Sequence, residues 1–326
     1  MKFFNPLLAV VLSLAIVFAL PAPQALASSF AVPIFNTPAR FLALDSVVFQ
    51  KTSYPNHDSN LDVSGSYPVV SGIPDAGFQA AVNKRIKDAY QGEIDAARLS
   101  RALSLSFYYE VKPYDPYYSV VFYFMIVGSS AKNKVDCVVF DIQRGDFATI
   151  NDCLGPNGVQ IVNYAIAKAI LSNPDKYNLD SAVIDNSQTF YIDSGEVHIP
   201  FANFEFVVDI ASVTSYTLKS GSYSVKNSYS INMVPLREVC EGLNYSVGWN
   251  ISEKSAEVAK EGFSSKLTID KNAYTKSRSE TKLECPPELT EGQTFVPISY
   301  FEEVLGAFYT VSDDGSITFS VYEPAD

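Results

Sequence analysis

The C-terminal part of this chain repeats itself once, and that repeat limits what the chain can fold into. NMVPLREVCEGLNYSVGW, residues 232–249, aligns without a gap on TFVPISYFEEVLGAFYTV, residues 294–311. Val234 falls on Val296, Pro235 on Pro297, Val239 on Phe301, Glu241 on Glu303 and Leu243 on Leu305. In each copy a strand-like pair runs into Val-Pro, and proline suits the first helical turn, where its missing N–H would be unpaired anyway. Leu236, Val239, Cys240 and Leu243 then share one side of a short helix, as do Ile298, Phe301, Val304 and Leu305. Asn244 and Gly306 take the position after the helix that needs a left-handed backbone. Each copy returns as a strand, so two strand–helix–strand units are expected in one domain. Glu241 and Glu303 read as polar-face residues of short helices, not as a catalytic pair.

Between the copies, AEVAK, SSKLTID and TKLECPPELTEGQ alternate apolar and polar residues, as short strands do. Upstream, a helix capped by Asp75 carries Phe78, Val82, Ile86 and Tyr90 on one face. Three runs follow, LSLSFYYEVKP, YYSVVFYFMIVG and KVDCVVFDI, whose β-branched and aromatic residues suit a pleated sheet. QRGD, 143–146, makes the next turn, and its Arg-Gly-Asp reads as turn chemistry rather than an adhesion signal. A second helix carries Val159, Val162, Ala165, Ile166 and Ile170, and a hairpin turns at Asp193-Ser194-Gly195. The expected fold class is α+β. Two domains, each a mainly antiparallel sheet with short helices, would occupy 45–220 and 231–326, joined by a polar linker at 221–230.

The first 27 residues read as a secretory signal peptide: Lys2, an apolar run from Leu7 to Leu20, and a small-x-small site at Ala25-Leu26-Ala27. The run is shorter than the ~20 residues that span a bilayer, although an uncleaved anchor stays open. A linker at 28–44 follows. A secreted, envelope-associated location is therefore expected, with no transmembrane helix after cleavage. The formal net charge is −12, one unit more negative once Lys2 leaves. Such a surface repels nucleic acid, whose binding rests on Lys and Arg, and suits cationic partners. Four cysteines, Cys137, Cys153, Cys240 and Cys285, permit two disulfides in an exported chain. Cys137–Cys153 and Cys240–Cys285 would keep each bridge within a domain; four buried free thiols fit equally.

No catalytic constellation emerges. The chain has two histidines, His57 in a polar stretch and His198 in the hairpin strand, and both read as structural. No phosphate loop or dinucleotide fingerprint is present, and no cofactor is expected. Tyr108, Tyr109, Tyr114, Tyr117 and Tyr118 cluster in sequence. They are candidate ligand-binding residues, as stacking platforms for sugar rings, against the alternative of packing across strands.

Residues 231–321 resemble the copper amine oxidase-like N-terminal domain, a module of exported proteins of Gram-positive bacteria. The resemblance rests on Val234-Pro235-Leu236-Arg237-Glu238, the SVGWN strand with Trp249, CPPELTEGQTFVPI and Leu305-Gly306. Where the family's first helix usually ends in Leu-Gly, this chain has Leu243-Asn244. The oxidase chemistry belongs to another domain and needs three histidines, so the resemblance implies a non-catalytic module that recognises envelope material. Residues 45–220 resemble the extracellular module of the lysozyme-sensing anti-sigma factor and of some peptidoglycan deacetylases, through Tyr67-Pro68, Gly72, Asp152 and Phe204-Glu205. GSSAKNK replaces the Gly-Gly-Ala-His-Gly loop of many members, and the deacetylase metal ligands are missing. The two resemblances imply a secreted, non-catalytic cell-wall protein. Its ligand would be peptidoglycan or another wall polymer, or a cationic extracellular protein such as a lysozyme-type enzyme. The rival expectation is a hydrolase of wall polymer acting through acidic residues of the N-terminal domain.

Overall fold

Asp75 opens the first helix as its short carboxylate allows, its Oδ1 accepting from the free N–H of Phe78 at 2.8 Å. That helix, α1 (Ala76–Leu99), crosses from β2 (Asp62–Ser71) to β3 (Ser104–Tyr114), which lie parallel, the arrangement a helical crossover permits. The computed structural model describes residues 47–55, 60–174, 183–201, 204–226, 231–277 and 279–323. The expected leader (1–27), the linker at 28–44 and His57 lie outside the described residues.

With β1 (Val48–Ser53), β4 (Tyr117–Val127), β5 (Ala131–Asp141) and β6 (Asp146–Phe147), these strands form a six-stranded sheet in chain order. Every pairing but β2–β3 is antiparallel. The near-continuous apolar run of β4 follows from burial on both faces. Val120, Phe122 and Phe124 pack toward α1, whereas Val121 and Tyr123 join a second core. That second layer holds α2 (Ile150–Leu154), α3 (Gly158–Ser172) and a small sheet of β7 (Tyr191–Asp193), β8 (Glu196–Pro200) and β9 (Glu205–Asp209). Ser194 and Gly195 both take positive φ, so the hairpin turns where expected.

Thr149 caps α2 and forms a reciprocal box with Asp152. Asp152 also pairs with Arg144 of the expected QRGD turn. Arg144 first, then the Thr149 cap, hold the Asp152 carboxyl down from 3.8 to about 2. A carboxyl depressed on folding contributes stability fully above its ordinary value and loses it as pH falls through about 2. The shift corresponds to about 1–2 kcal/mol after allowing for the partial exposure of the pair. The gap in urea midpoint between the parent and Asp152→Asn should therefore be widest above about pH 5 and close toward pH 2. A gap constant over that range would contradict this assignment.

The C-terminal region contains the repeat as two units. The first is β12 (Ile231–Pro235), α4 (Leu236–Gly242) and β13 (Ser246–Asn250), and the second is β19 (Gln293–Pro297), α5 (Ser299–Glu303) and β20 (Phe308–Val311). β12 and β19 pair antiparallel with Val234 opposite Val296. The pair of residues equated by the sequence repeat thus marks a local pseudo-twofold axis. Asn244 and Gly306 take φ of 66° and 72°, the left-handed backbone expected after each helix. The prolines differ from expectation. Pro235 sits before α4 in extended backbone, and α5 starts only after Ile298, so each proline closes a strand instead of joining the first helical turn.

β18 (Glu288–Thr290) lies at one edge of the sheet β11-β12-β19-β18, whose other edge is β11 (Ser224–Lys226). β13 lies at the edge of a five-stranded sheet with β14 (Ser255–Lys260), β15 (Phe263–Thr268), β16 (Tyr274–Lys276) and β17 (Ser279–Thr281). β11 falls within the stretch expected as a linker, because Ser224-Val225-Lys226 continues as a hairpin partner of β12. β10 (Val213–Leu218), on the N-terminal side of that stretch, pairs along its length with β21 (Ile317–Tyr322). Phe319 and Val321 face the C-terminal core and Tyr322 the second N-terminal core, so this sheet joins the two.

Cys137, Cys153 and Cys240 are free thiols, and Cys285 is buried beside Met233. Burial pushes the Cys153 thiol up to about 12 and lifts those of Cys137 and Cys240 above the ordinary range. The nucleophile in thiol chemistry is the thiolate. A thiol-disulfide reagent at pH 8 should therefore react with these three much more slowly in the folded chain than after addition of denaturant, slowest at the fully buried Cys240. Rapid native-state reaction at any of them would contradict the packing described.

Candidate functional site

The five clustered tyrosines do not share a face. Side chains alternate across a pleated strand, so Tyr109 and Tyr118 pack with α1 while Tyr114 and Tyr117 pack with the second layer. Tyr117 donates to the Asp152 carbonyl at 3.0 Å, and Tyr118 is buried against Phe49 and Phe140. Tyr108 alone among them is largely exposed, at 55%, and stacks on Tyr123 at 4.8 Å. Four of the five pack into the two cores, and Tyr108 stacks on its cross-strand partner.

Near Tyr123 lies a polar cluster of the hairpin sheet. Tyr191 donates to Glu205 Oε1 at 2.7 Å, His198 Nδ1 sits 3.1 Å from Glu205 Oε2, and the Tyr191 and His198 rings stack at 4.6 Å. Glu196 flanks the other ring nitrogen at 3.5 Å. Each side chain is committed to another, so His198 is a satisfied structural histidine. Two carboxyls are raised above the ordinary range, Asp136 by burial and Glu303 by burial beside Glu284 and Glu302. They belong to different halves of the chain and do not converge.

The candidate site lies instead in the C-terminal region, between β13 and the β18–β19 hairpin. Two adjoining clefts of about 590 and 560 Å³ share Trp249 and Leu289 in their walls. Trp249 is the chain's single tryptophan. It is 37% exposed, Leu289 is 47% exposed, and Ile251 at the end of β13 is 82% exposed. Exposed apolar side chains gathered around a groove mark an interaction surface more often than scattered ones do. Arg237 braces one end, donating to Glu241 at 2.9 Å and to the Val247 carbonyl at 2.8 Å. Glu238, held by the Tyr216 hydroxyl at 2.8 Å, lines the same end, and Lys254, Asp270 and Glu288 line the other.

The pseudo-twofold and the groove belong to one module. Residues 228–318 match the family model of the copper amine oxidase N-terminal domain. The chain is also 37% identical, over 82 residues or 25% of its length, to a sequence described as "Protease inhibitor" from Brevibacillus choshinensis. That stretch spans 25% of the relative's length. Two solved structures are also similar, a DUF3298 family protein from Pseudomonas aeruginosa PAO1 and a DUF3298 member from Bacteroides fragilis. Each is 11% identical, with TM-scores of 0.33 and 0.31, and covers 50% of this chain and 88% of the other. Among the described residues no group of three His, Cys, Asp or Glu side chains is placed to hold a metal ion. Among the described residues, too, no helix is long and apolar enough to cross a membrane.

Sequence reasoning used Trp249 only as a mark of resemblance and passed over Ile251 and Leu289. The available signal was an apolar pair, Trp249 and Ile251, in the otherwise polar stretch GWNISEK.

Proposed function

We propose that this protein is a non-catalytic binding module acting outside the cell, and that its target is another protein, an extracellular enzyme of protease or lysozyme type. The observation that carries this reading is the groove holding the only tryptophan, with Ile251 and Leu289 beside it. Tryptophan in a partly desolvated pocket is the residue most often dominant in protein interfaces. The likeness to a sequence described as a protease inhibitor supports a protein target over a wall polymer. A net charge of −12 favours cationic partners and speeds their encounter. The leader motif at residues 1–27 supports export.

The test titrates the purified chain against trypsin, subtilisin and lysozyme, following enzyme activity and complex formation, with pelleting on peptidoglycan sacculi in parallel. A saturable complex with at least one enzyme is expected, weakened about hundredfold by Trp249→Ala. Pelleting with sacculi without any enzyme complex would replace this reading by wall attachment. Release of sugar or peptide fragments would replace it by a hydrolase.

A further inference from the structure

We infer that the groove takes its partner as an added β-strand: an extended, basic polypeptide segment pairing with the open main-chain edges at Trp249 and Leu289. This inference rests on the protein-binding reading above and names the form its partner takes.

The main-chain geometry carries it. On β14, the tight hairpin to β15 makes Lys260 and Phe263 a hydrogen-bonded pair. Alternation then turns Val258 and Ala256 toward β15, and Ala259, Glu257 and Ser255 toward β13. Their β13 partners Ser246, Gly248 and Asn250 use their main-chain groups in that ladder. Val247 and Trp249 therefore direct theirs outward. The Val247 carbonyl agrees, since it is met from outside by Arg237.

The same reasoning applies to β18. Glu291 and Gly292 both take positive φ in a two-residue turn, which makes Thr290 and Gln293 the hydrogen-bonded pair. Leu289, opposite Thr294, turns its N–H and C=O to the open edge. Trp249 and Leu289 each line both clefts, so the groove runs between two open edges. Exposed edges are usually blunted by lysine, proline or a bulge; β13, Ser-Val-Gly-Trp-Asn, has no lysine or proline. An open edge with apolar side chains beside it is the arrangement that receives an added strand.

The charge around the groove selects the occupant. Glu238, Glu241, Asp270 and Glu288 outnumber Arg237 and Lys254; with Arg237 and Glu241 paired to each other, three acids face Lys254. An extended segment alternating basic and apolar residues would place apolar side chains on Trp249 and Leu289 and cationic ones toward the acids.

Trp249 is also the reporter, because no other tryptophan contributes to emission. The full chain is titrated with a capped alternating Lys-Val hexapeptide, with the same peptide N-methylated at alternate amides, and with its Glu-Val counterpart. The Lys-Val peptide should shift Trp249 emission to the blue and saturate. N-methylation, which removes strand donors, and the switch to glutamate should each weaken binding by at least about tenfold. Leu289→Lys, at an exposed position, should weaken it comparably. Equal binding of the N-methylated peptide would overturn strand addition while leaving the groove as a side-chain contact site. An enzyme complex in the earlier assay, with no response to any peptide, would overturn this inference and spare the protein-binding reading. A peptide response with no enzyme complex would do the reverse. A blue shift that grows with protein concentration alone, with dimers in sedimentation, would assign the edges to a second copy and overturn the basic partner.

Discussion

Replacing Asn157 with alanine should destabilise the folded chain by roughly 3 kcal/mol. Asn157 is 0% exposed and precedes α3, yet its partners lie in the C-terminal strands. Its Nδ2 donates to the Thr318 carbonyl at 3.1 Å and to Ser320 Oγ at 2.9 Å, and its Oδ1 accepts from Thr310 Oγ1 at 2.6 Å. Alanine removes all three bonds, two of them in a fully buried setting, and takes the partner of the half-buried Thr310 hydroxyl; a polar group left unpaired in the interior costs about 1–3 kcal/mol by itself. Ser320 keeps Ser215 as a partner at 2.8 Å, which limits the loss. Urea unfolding should show a lower midpoint with an unchanged slope. Because this tie joins the two regions, far-UV circular dichroism and Trp249 emission should report one coincident transition in the parent chain. A loss below about 1 kcal/mol would mean that the sheet pairing of β10 with β21 carries the junction without Asn157.

Phe301→Ala should cost more, about 3–5 kcal/mol. Phe301 is fully buried on α5, where its ring meets Phe319 at 4.7 Å and Tyr300 at 5.5 Å. Its repeat-mate Val239 is equally buried on α4 but removes fewer atoms when truncated, so Val239→Ala should cost distinctly less. The pair tests whether the sequence repeat is also an energetic one. Equal losses at the two positions would show that the cavity left by Phe301 collapses. The groove lies against α4, so Phe301→Ala should lower stability while leaving affinity for a partner unchanged at temperatures where the variant stays folded.

The residues that announced their structure were those whose constraints are local. Asp75, Asn244, Gly306 and the Ser194-Gly195 turn act through bonds or backbone angles within a few positions, and each stands as its residue type requires. The repeat was legible because equal apolar spacing in two segments implies equal packing, and the facing of Val234 and Val296 follows from it. The pairing of β10 with β21 was not legible, since the partners are separated by most of the C-terminal region and Ser-Tyr-Thr-Leu carries no mark of its mate. The tyrosines misled for a simpler reason. Adjacency along a strand is opposition across it, so neighbours such as Tyr117 and Tyr118 enter different cores. The groove was hidden because its walls, β13 and β18, belong to two sheets. Its character depends on edges being left open, a property of topology rather than of any residue.

The account's central claim is that binding takes place at the β13–β18 edges. Amide hydrogen exchange of the full chain, free and saturated with whichever enzyme or peptide it binds, tests that claim most directly. The expected result is new protection concentrated in residues 246–251 and 288–290, strongest at the Trp249 and Leu289 amides that point to the open edges. Protection confined to the tyrosine-bearing strands at 104–127, with the groove unchanged, would contradict it.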